Sequence, residues 1–193
     1  MVDETAAHGL DQLRSESGII PTCRLGCCFC CRFHIVTNIA EAHTLARFVR
    51  REFSADQIEA LRFRTLQWFE WDGSRPGRYP PSRIDITTDL SHYEQCCPLL
   101  VDGACSAYPV RPIVCRTHYV NSHQQLCSAV NDPESTEDAP QVITSILADT
   151  TLFPMSIREY IETAGMDYSR SLMLLPHWLA IQMGWDFALV TYP

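Results

Sequence analysis

The chain contains no lysine; all fifteen of its basic residues are arginine. Coding bias is the plainest account, although a reactive centre also fares better without primary amines nearby. Also missing is any apolar run near the ~18–20 residues that a membrane helix requires. The first ten residues are polar and acidic. With neither a basic n-region nor an apolar h-region, they do not read as a secretory signal. The expectation is a cytoplasmic protein with no membrane partner. A formal net charge of −8 argues against nucleic acid as a partner too, because phosphate backbones are bound by clustered positive charge. No phosphate loop, nucleophile motif or paired-carboxylate signature stands out, so no residue is assigned a catalytic role.

What the chain has in excess is cysteine. It holds ten, and Cys23, Cys27, Cys28, Cys30 and Cys31 fall within nine positions. Buried free cysteines behave as small hydrophobes and scatter through a core rather than bunching. The vicinal pairs Cys27-Cys28 and Cys30-Cys31 are poor disulfide partners, since adjacent Cα atoms lie only ~3.8 Å apart. A reducing compartment disfavours structural disulfides in any case. Bunched thiols do suit a soft metal or an iron–sulfur cluster, which is the expectation here.

The length of 193 residues allows one domain with a sizeable core. We read an N-terminal arm over 1–20, a cysteine-cluster metal-binding domain over 21–130, an acidic linker over 131–140 and a helical segment over 141–193 packed on the domain. Asn38-x-x-Glu41 and Ser54-x-x-Gln57 are capping-box signatures. The apolar spacing behind them predicts helices over 39–52 and 55–70, an antiparallel pair lying over the cysteine loop. Residues 73–81 are rich in Gly and Pro and read as loop, and 83–88 alternate as a short strand would. Three helices are expected over 142–153, 156–164 and 169–183, the last kinked or divided at Pro176. The fold class is thus mainly α, with irregular metal-stapled cysteine loops and a short β-hairpin.

That hairpin lies in the second cysteine-rich region, where Asp102-Gly103 between apolar flanks is a turn signal. A two-residue turn would put Cys97 and Cys105 on opposite faces of a regular hairpin. A three-residue loop over Val101, Asp102 and Gly103 would pair Cys105 with Leu99 and bring both thiols to one face.

Taken together, Cys23-x3-Cys27-x2-Cys30-Cys31 and Cys97-Pro98-Leu99-Leu100-x4-Cys105-x2-Tyr108-x2-Arg111-Pro112-x2-Cys115-Arg116 resemble the zinc- or iron-chelating cysteine-cluster family (CxxCxxCC, YkgJ-type). Cys127 matches the final cysteine of many members. The second half is the more specific; in the first, Arg24 stands where the motif has its leading cysteine, and Cys23 comes one place early. The resemblance implies metal ligation by Cys23, Cys27, Cys30, Cys31, Cys97, Cys105, Cys115 and Cys127, with Tyr108 beside them. The same region is similar to flagellin lysine N-methylases, which implies an iron–sulfur cluster and S-adenosylmethionine. Cys23-x3-Cys27-x-Phe29-Cys30 also resembles the cluster motif of radical S-adenosylmethionine enzymes, but the βα alternation of their barrel does not follow.

Eight thiolates match two four-sulfur sites, or one cluster plus a second metal. Arg111 and Arg116, flanking Cys115, are placed to offset their negative charge and to donate N–H bonds to sulfur. Cys28 and Cys96 each sit beside a motif cysteine and are read as bystanders. His34 and His118 are placed to replace a thiol as ligand, though the reading of each is a structural or surface residue; His123 is a weaker candidate still, and His177 is read as core or interface. An iron–sulfur cluster is favoured over zinc, because structural zinc loops usually offer two separated C-x2–4-C pairs. Leu25, Phe29, Phe33, Leu99 and Leu100 are candidates to shield such a cluster. The function classes are an iron–sulfur or iron protein for redox or post-translational modification, a structural zinc module and a metal-handling protein. The expected partner is a protein client or substrate.

Overall fold

The computed structural model describes residues 1–24, 26–33, 35–74, 95–129 and 135–187. Where an arm is expected, Val2–Ser17 form helix α1. Its inner face carries Ala6 and Gly9, both buried, with Leu10 and Leu13 packed beside them. That is helical spacing, but half the stripe is Ala and Gly, so it carries little hydrophobic signal. The small residues let α1 approach helix α6 (Thr144–Asp149). A Cβ on Gly9 would lie 2.6 Å from Asp149 Oδ2 and 2.9 Å from Ile146 Cδ1.

Helix α2 (Ile39–Glu52) starts at Asn38, whose Oδ1 accepts from the amides of Ala40 and Glu41. Helix α3 (Ala55–Ser74) starts at a reciprocal capping box. There the Ser54 amide donates to Gln57 Oε1 at 2.8 Å and the Gln57 amide to Ser54 Oγ at 3.2 Å. The helix runs through Gly73 to Ser74, past the expected loop boundary. Both helices lean on helix α8 (Leu175–Met183) rather than chiefly on each other. Six consecutive residues of α8, Leu175 to Ala180, are buried, as befits a helix apolar on nearly every side. Pro176 lies in the first turn of α8, where no intrahelical N–H is required. It therefore opens the helix; the predicted stretch over 169–183 is divided, with a 3-10 turn at Ser169–Ser171 before it.

A strand β1 (Val36–Thr37) pairs antiparallel with β4 (Met173–Leu174), tying the segment after the first cysteines to the entry of α8. The hairpin joins β2 (Leu100–Val101) to β3 (Ala104–Cys105). Short helices α4 (Ile113–Thr117) and α5 (Gln125–Ala129) follow. Helix α7 (Leu152–Thr163) begins four residues earlier than expected. Pro154 cannot donate to Thr150, so the helical run breaks before it instead of after Phe153. Among the described residues the class is mainly α, with two small antiparallel sheets.

The main core joins Leu45 and Val49 of α2, Leu61 of α3, Leu175 and Leu179 of α8, Ile35, Leu99 and Ala107. Cys97, Cys105 and Cys115 pack against this cluster. A second cluster groups Trp68, Phe69, Leu174, Ala180 and Phe187. Among the described residues no helix is long and apolar enough to cross a membrane. The strand expected over 83–88, most of the 73–81 loop, part of the 131–140 linker, Leu25 and His34 lie outside the described residues.

Candidate metal centre

The first cysteine segment is held by backbone bonds to distant chain. Thr22 donates its amide to the Val120 carbonyl at 2.9 Å and its hydroxyl to the Ser122 carbonyl at 2.6 Å. This sets Cys23 where its sulfur accepts the Val120 amide at 3.4 Å. The Cys27 amide closes a turn onto the Arg24 carbonyl at 2.9 Å, and Gly26 supplies the positive φ of 87° within it. Cys30 and Cys31 lie on one 3-10 turn, Phe29–Arg32. Next, the Cys97 amide donates to the Cys31 carbonyl at 2.7 Å, joining the second cysteine segment to the first.

The hairpin has the two-residue turn, with Leu100 opposite Cys105 and positive φ at Asp102 and Gly103 (49° and 77°). The three-residue loop does not form. Cys97 and Cys105 nevertheless line the same cavity. Regular alternation stops before Cys97, because a turn closed by the Leu100 amide on the Cys97 carbonyl at 2.9 Å bends the chain there. Arg64 of α3 pins that turn, its Nε donating to the Pro98 carbonyl at 2.8 Å.

Cys115 lies mid-way along α4, whose first amide, Ile113, donates to Glu41 Oε1 at 2.7 Å. The other oxygen of Glu41 accepts from Thr37 Oγ1 and Asn38 Nδ2, at 2.9 and 2.7 Å. Glu41 thus joins the starts of two helices, one from the core and one from the cysteine region.

These segments enclose a cavity of about 270 Å³ lined by Cys23, Cys27, Cys30, Cys31, Cys97, Cys105 and Cys115. Seven of the eight expected ligands therefore meet at one place. The eighth, Cys127 on α5, is buried beside it, near enough to feel the charges of Cys23, Cys27 and Cys30. Cys28 and Cys96 do not line the cavity. All ten cysteines are free thiols.

Burial pushes most of these thiols up: Cys97 to about 12, Cys127 to about 11, and Cys115 well above the ordinary range. Most of these thiols are only partly buried by surface area, but much of their open side faces the cavity rather than bulk water. Neighbouring thiolates add to the effect, since like charges cannot ionise together at short range. Cys30 departs from this trend. A hydrogen bond from Cys31 draws it down, with help from Arg111, and holds the Cys31 proton in place. Without a cation the eight sulfurs cannot all be thiolates; a bound metal would remove that constraint.

Arg111 and Tyr108 line the cavity, the guanidinium 3.8 Å above the Tyr108 ring. Arg116 does not line it. Its Nε donates to the Arg111 carbonyl at 2.7 Å, and its other nitrogens reach the Pro109 carbonyl and Asp3 of α1. It is a clasp for the loop rather than a donor to sulfur. Phe33 stands edge-on to His118 at 5.5 Å, and Leu99 and Leu100 form part of the cavity wall.

Two buried nitrogens at this cavity, Arg111 Nε and His118 Nε2, have no hydrogen-bond partner. Unmatched polar nitrogens beside converging thiols fit a site that takes a guest. The donor set suits soft metals. Among the described residues, however, no three Cys, His, Asp or Glu side chains already stand grouped around a single-ion position. Glu41, Arg64 and Thr22, which place the cysteine segments, were not marked by sequence as site residues; only Glu41 carried a signal, its capping box. The chain matches no protein-family model, no curated protein and no solved structure.

Proposed function

We propose that this chain is a metal–thiolate protein whose cysteine cavity holds an iron–sulfur cluster or iron, for redox or post-translational modification chemistry. One observation carries the reading. Seven free cysteines, drawn from segments separated by most of a helical core, line a single cavity instead of pairing as disulfides. Splayed donors around about 270 Å³ suit a polynuclear guest, whose ligands bind different metal atoms, better than one small ion. Cys30, Cys31, Cys97, Cys105 and Cys115 would hold one side of it, and Cys23, Cys27 and Cys127 the other. Arg111 would offset thiolate charge. Membership of the CxxCxxCC family, carried by the same residues, is part of the proposal; S-adenosylmethionine as co-substrate is its least supported element. A structural zinc module is the second reading, supported by the cavity's place as the joint between loops.

The test is iron, zinc and acid-labile sulfide content in protein made and kept without oxygen. Iron with sulfide is expected; stoichiometric zinc without sulfide would favour the second reading, and no metal would refute both. Replacing Cys30, Cys97, Cys105 or Cys115 by Ser should lower bound metal, whereas Cys28→Ser and Cys96→Ser should leave it nearly unchanged.

A further inference from the structure

His118 is the C-cap residue just after helix α4, three residues beyond Cys115. Residues at that spacing share one side of a helix, and both side chains line the cavity. The ring is held edge-on by Phe33 at 5.5 Å. A neutral imidazole keeps one nitrogen lone pair, the form in which histidine ligates metals. Its Nε2 is buried without a hydrogen-bond partner.

Leaving a buried polar atom unpaired forfeits its hydration without return, a cost that an apolar side chain of similar shape avoids. Two other histidines of the chain each meet a partner through one nitrogen. His177 Nε2 lies 3.6 Å from Asp72 Oδ2, and His123 Nδ1 accepts the Gln125 amide at 3.3 Å. His118, with its unmatched nitrogen, is one of the residues lining a cavity rich in thiols.

We propose that His118 is itself a ligand of the metal centre, through Nε2, so that the centre is mixed thiolate–imidazole. This rests on the reading of the cavity as a metal centre. A neutral nitrogen ligates without adding negative charge to a site crowded with thiolates. In a cluster, imidazole ligation raises the reduction potential; in a zinc site, three cysteines with one histidine is a common ligand set.

X-ray absorption at the metal edge of the anaerobically purified protein tests it, with His118→Ala, His118→Cys and Phe33→Leu alongside. Circular dichroism checks that each variant is folded. In the wild type, the spectrum should require sulfur plus imidazole nitrogen, including the outer scattering of an imidazole ring. His118→Ala should lose that signature and at least ~10-fold in metal affinity, the lower end for loss of even an outer partner. His118→Cys should recover metal with an all-sulfur shell, and Phe33→Leu, which removes only packing, should keep the nitrogen. An all-sulfur shell in the metal-loaded wild type would overturn the assignment while leaving the metal centre standing. So would an imidazole signature that survives in His118→Ala. Wild-type protein that binds no metal would overturn the metal reading and this ligand with it.

Discussion

Leu175 and His177 stand two residues apart on α8 and belong to two different interiors. Leu175 forms part of the wall of the cysteine cavity. His177 is enclosed by Trp68 and Phe69, with ring centroids 5.4 and 4.6 Å away, and Asp72 lies opposite it. Both interiors bury polar chemistry, but they treat it differently. The aromatic side brings a carboxylate to its histidine and fills the remaining space with rings. The cysteine side leaves several thiols forced toward neutrality and a cavity open among them. Packing completes the first, and a guest would complete the second. Stability should follow the same division.

The largest expected effect lies in the shared core. Leu45 is fully buried among residues of α2, α3 and α8. Leu45→Ala should cost about 2–5 kcal/mol, through lost transfer energy and the void left behind. Urea unfolding with and without metal measures it. A loss below ~1 kcal/mol would place the fold's stability elsewhere than in packing.

Next comes pH, which should act on the cysteine side. In metal-free protein Cys97 and Cys127 ionise at about 12 and about 11, against an ordinary 9.0. A raised folded-state value means the unfolded chain releases these protons first. Their contribution is therefore whole below about pH 9 and is lost as pH rises toward 11–12. Chelated, reduced protein should lose stability over that window. Metal-loaded protein, its thiolates already formed, should lose less. A chelated protein that grows more stable from pH 9 to 11 would contradict the desolvated cavity.

Glu41 joins the two regions, so its loss should be felt on both sides. Glu41→Ala strips the acceptor from the Ile113 amide, Thr37 and Asn38. About 1–3 kcal/mol is expected for leaving such donors unpaired. Amide exchange at Ile113 and through α4 should quicken more than in α8. Uniform acceleration would mean that Glu41 serves the core alone.

The same division explains what was legible in the sequence. Asn38 and Ser54 mark helix starts because a cap is local chemistry, written within four residues. The convergence of the cysteines was legible as residue type and spacing. Their geometry was not, because it rests on bonds such as Cys97 to Cys31 and Thr22 to Val120, which join distant segments. The hairpin turn was legible and its length was not, and the expected tie between turn length and the facing of Cys97 failed because regular alternation does not reach Cys97. Helix α1 was missed because its docking face is Ala6 and Gly9, where close approach replaces hydrophobic bulk. The pairing of Val36–Thr37 with Met173–Leu174 is too short for any period to announce.

The smallest effect should come from Asp3, which lies on α1 at the edge of the cysteine region. Its carboxylate meets Arg111 at 3.4 Å and also pairs with Arg116. The two arginines are mostly buried, but Asp3 is half exposed, so solvent screens much of the attraction. Neither arginine depends on it for position: Arg111 stacks on Tyr108, and Arg116 also reaches two backbone carbonyls. Helix α1 keeps its apolar contact through Ala6 and Leu10 against the Ile143–Ile146 cluster. Asp3→Asn should therefore cost no more than about 1 kcal/mol, with the difference shrinking as salt rises. Bound metal should stay unchanged, because Asp3 does not line the cavity. Salt-dependent urea unfolding and metal analysis of the variant check both points. A loss above ~2 kcal/mol, beyond the range of an exposed pair, or a fall in bound metal, would make α1 part of the metal centre rather than its outer clasp.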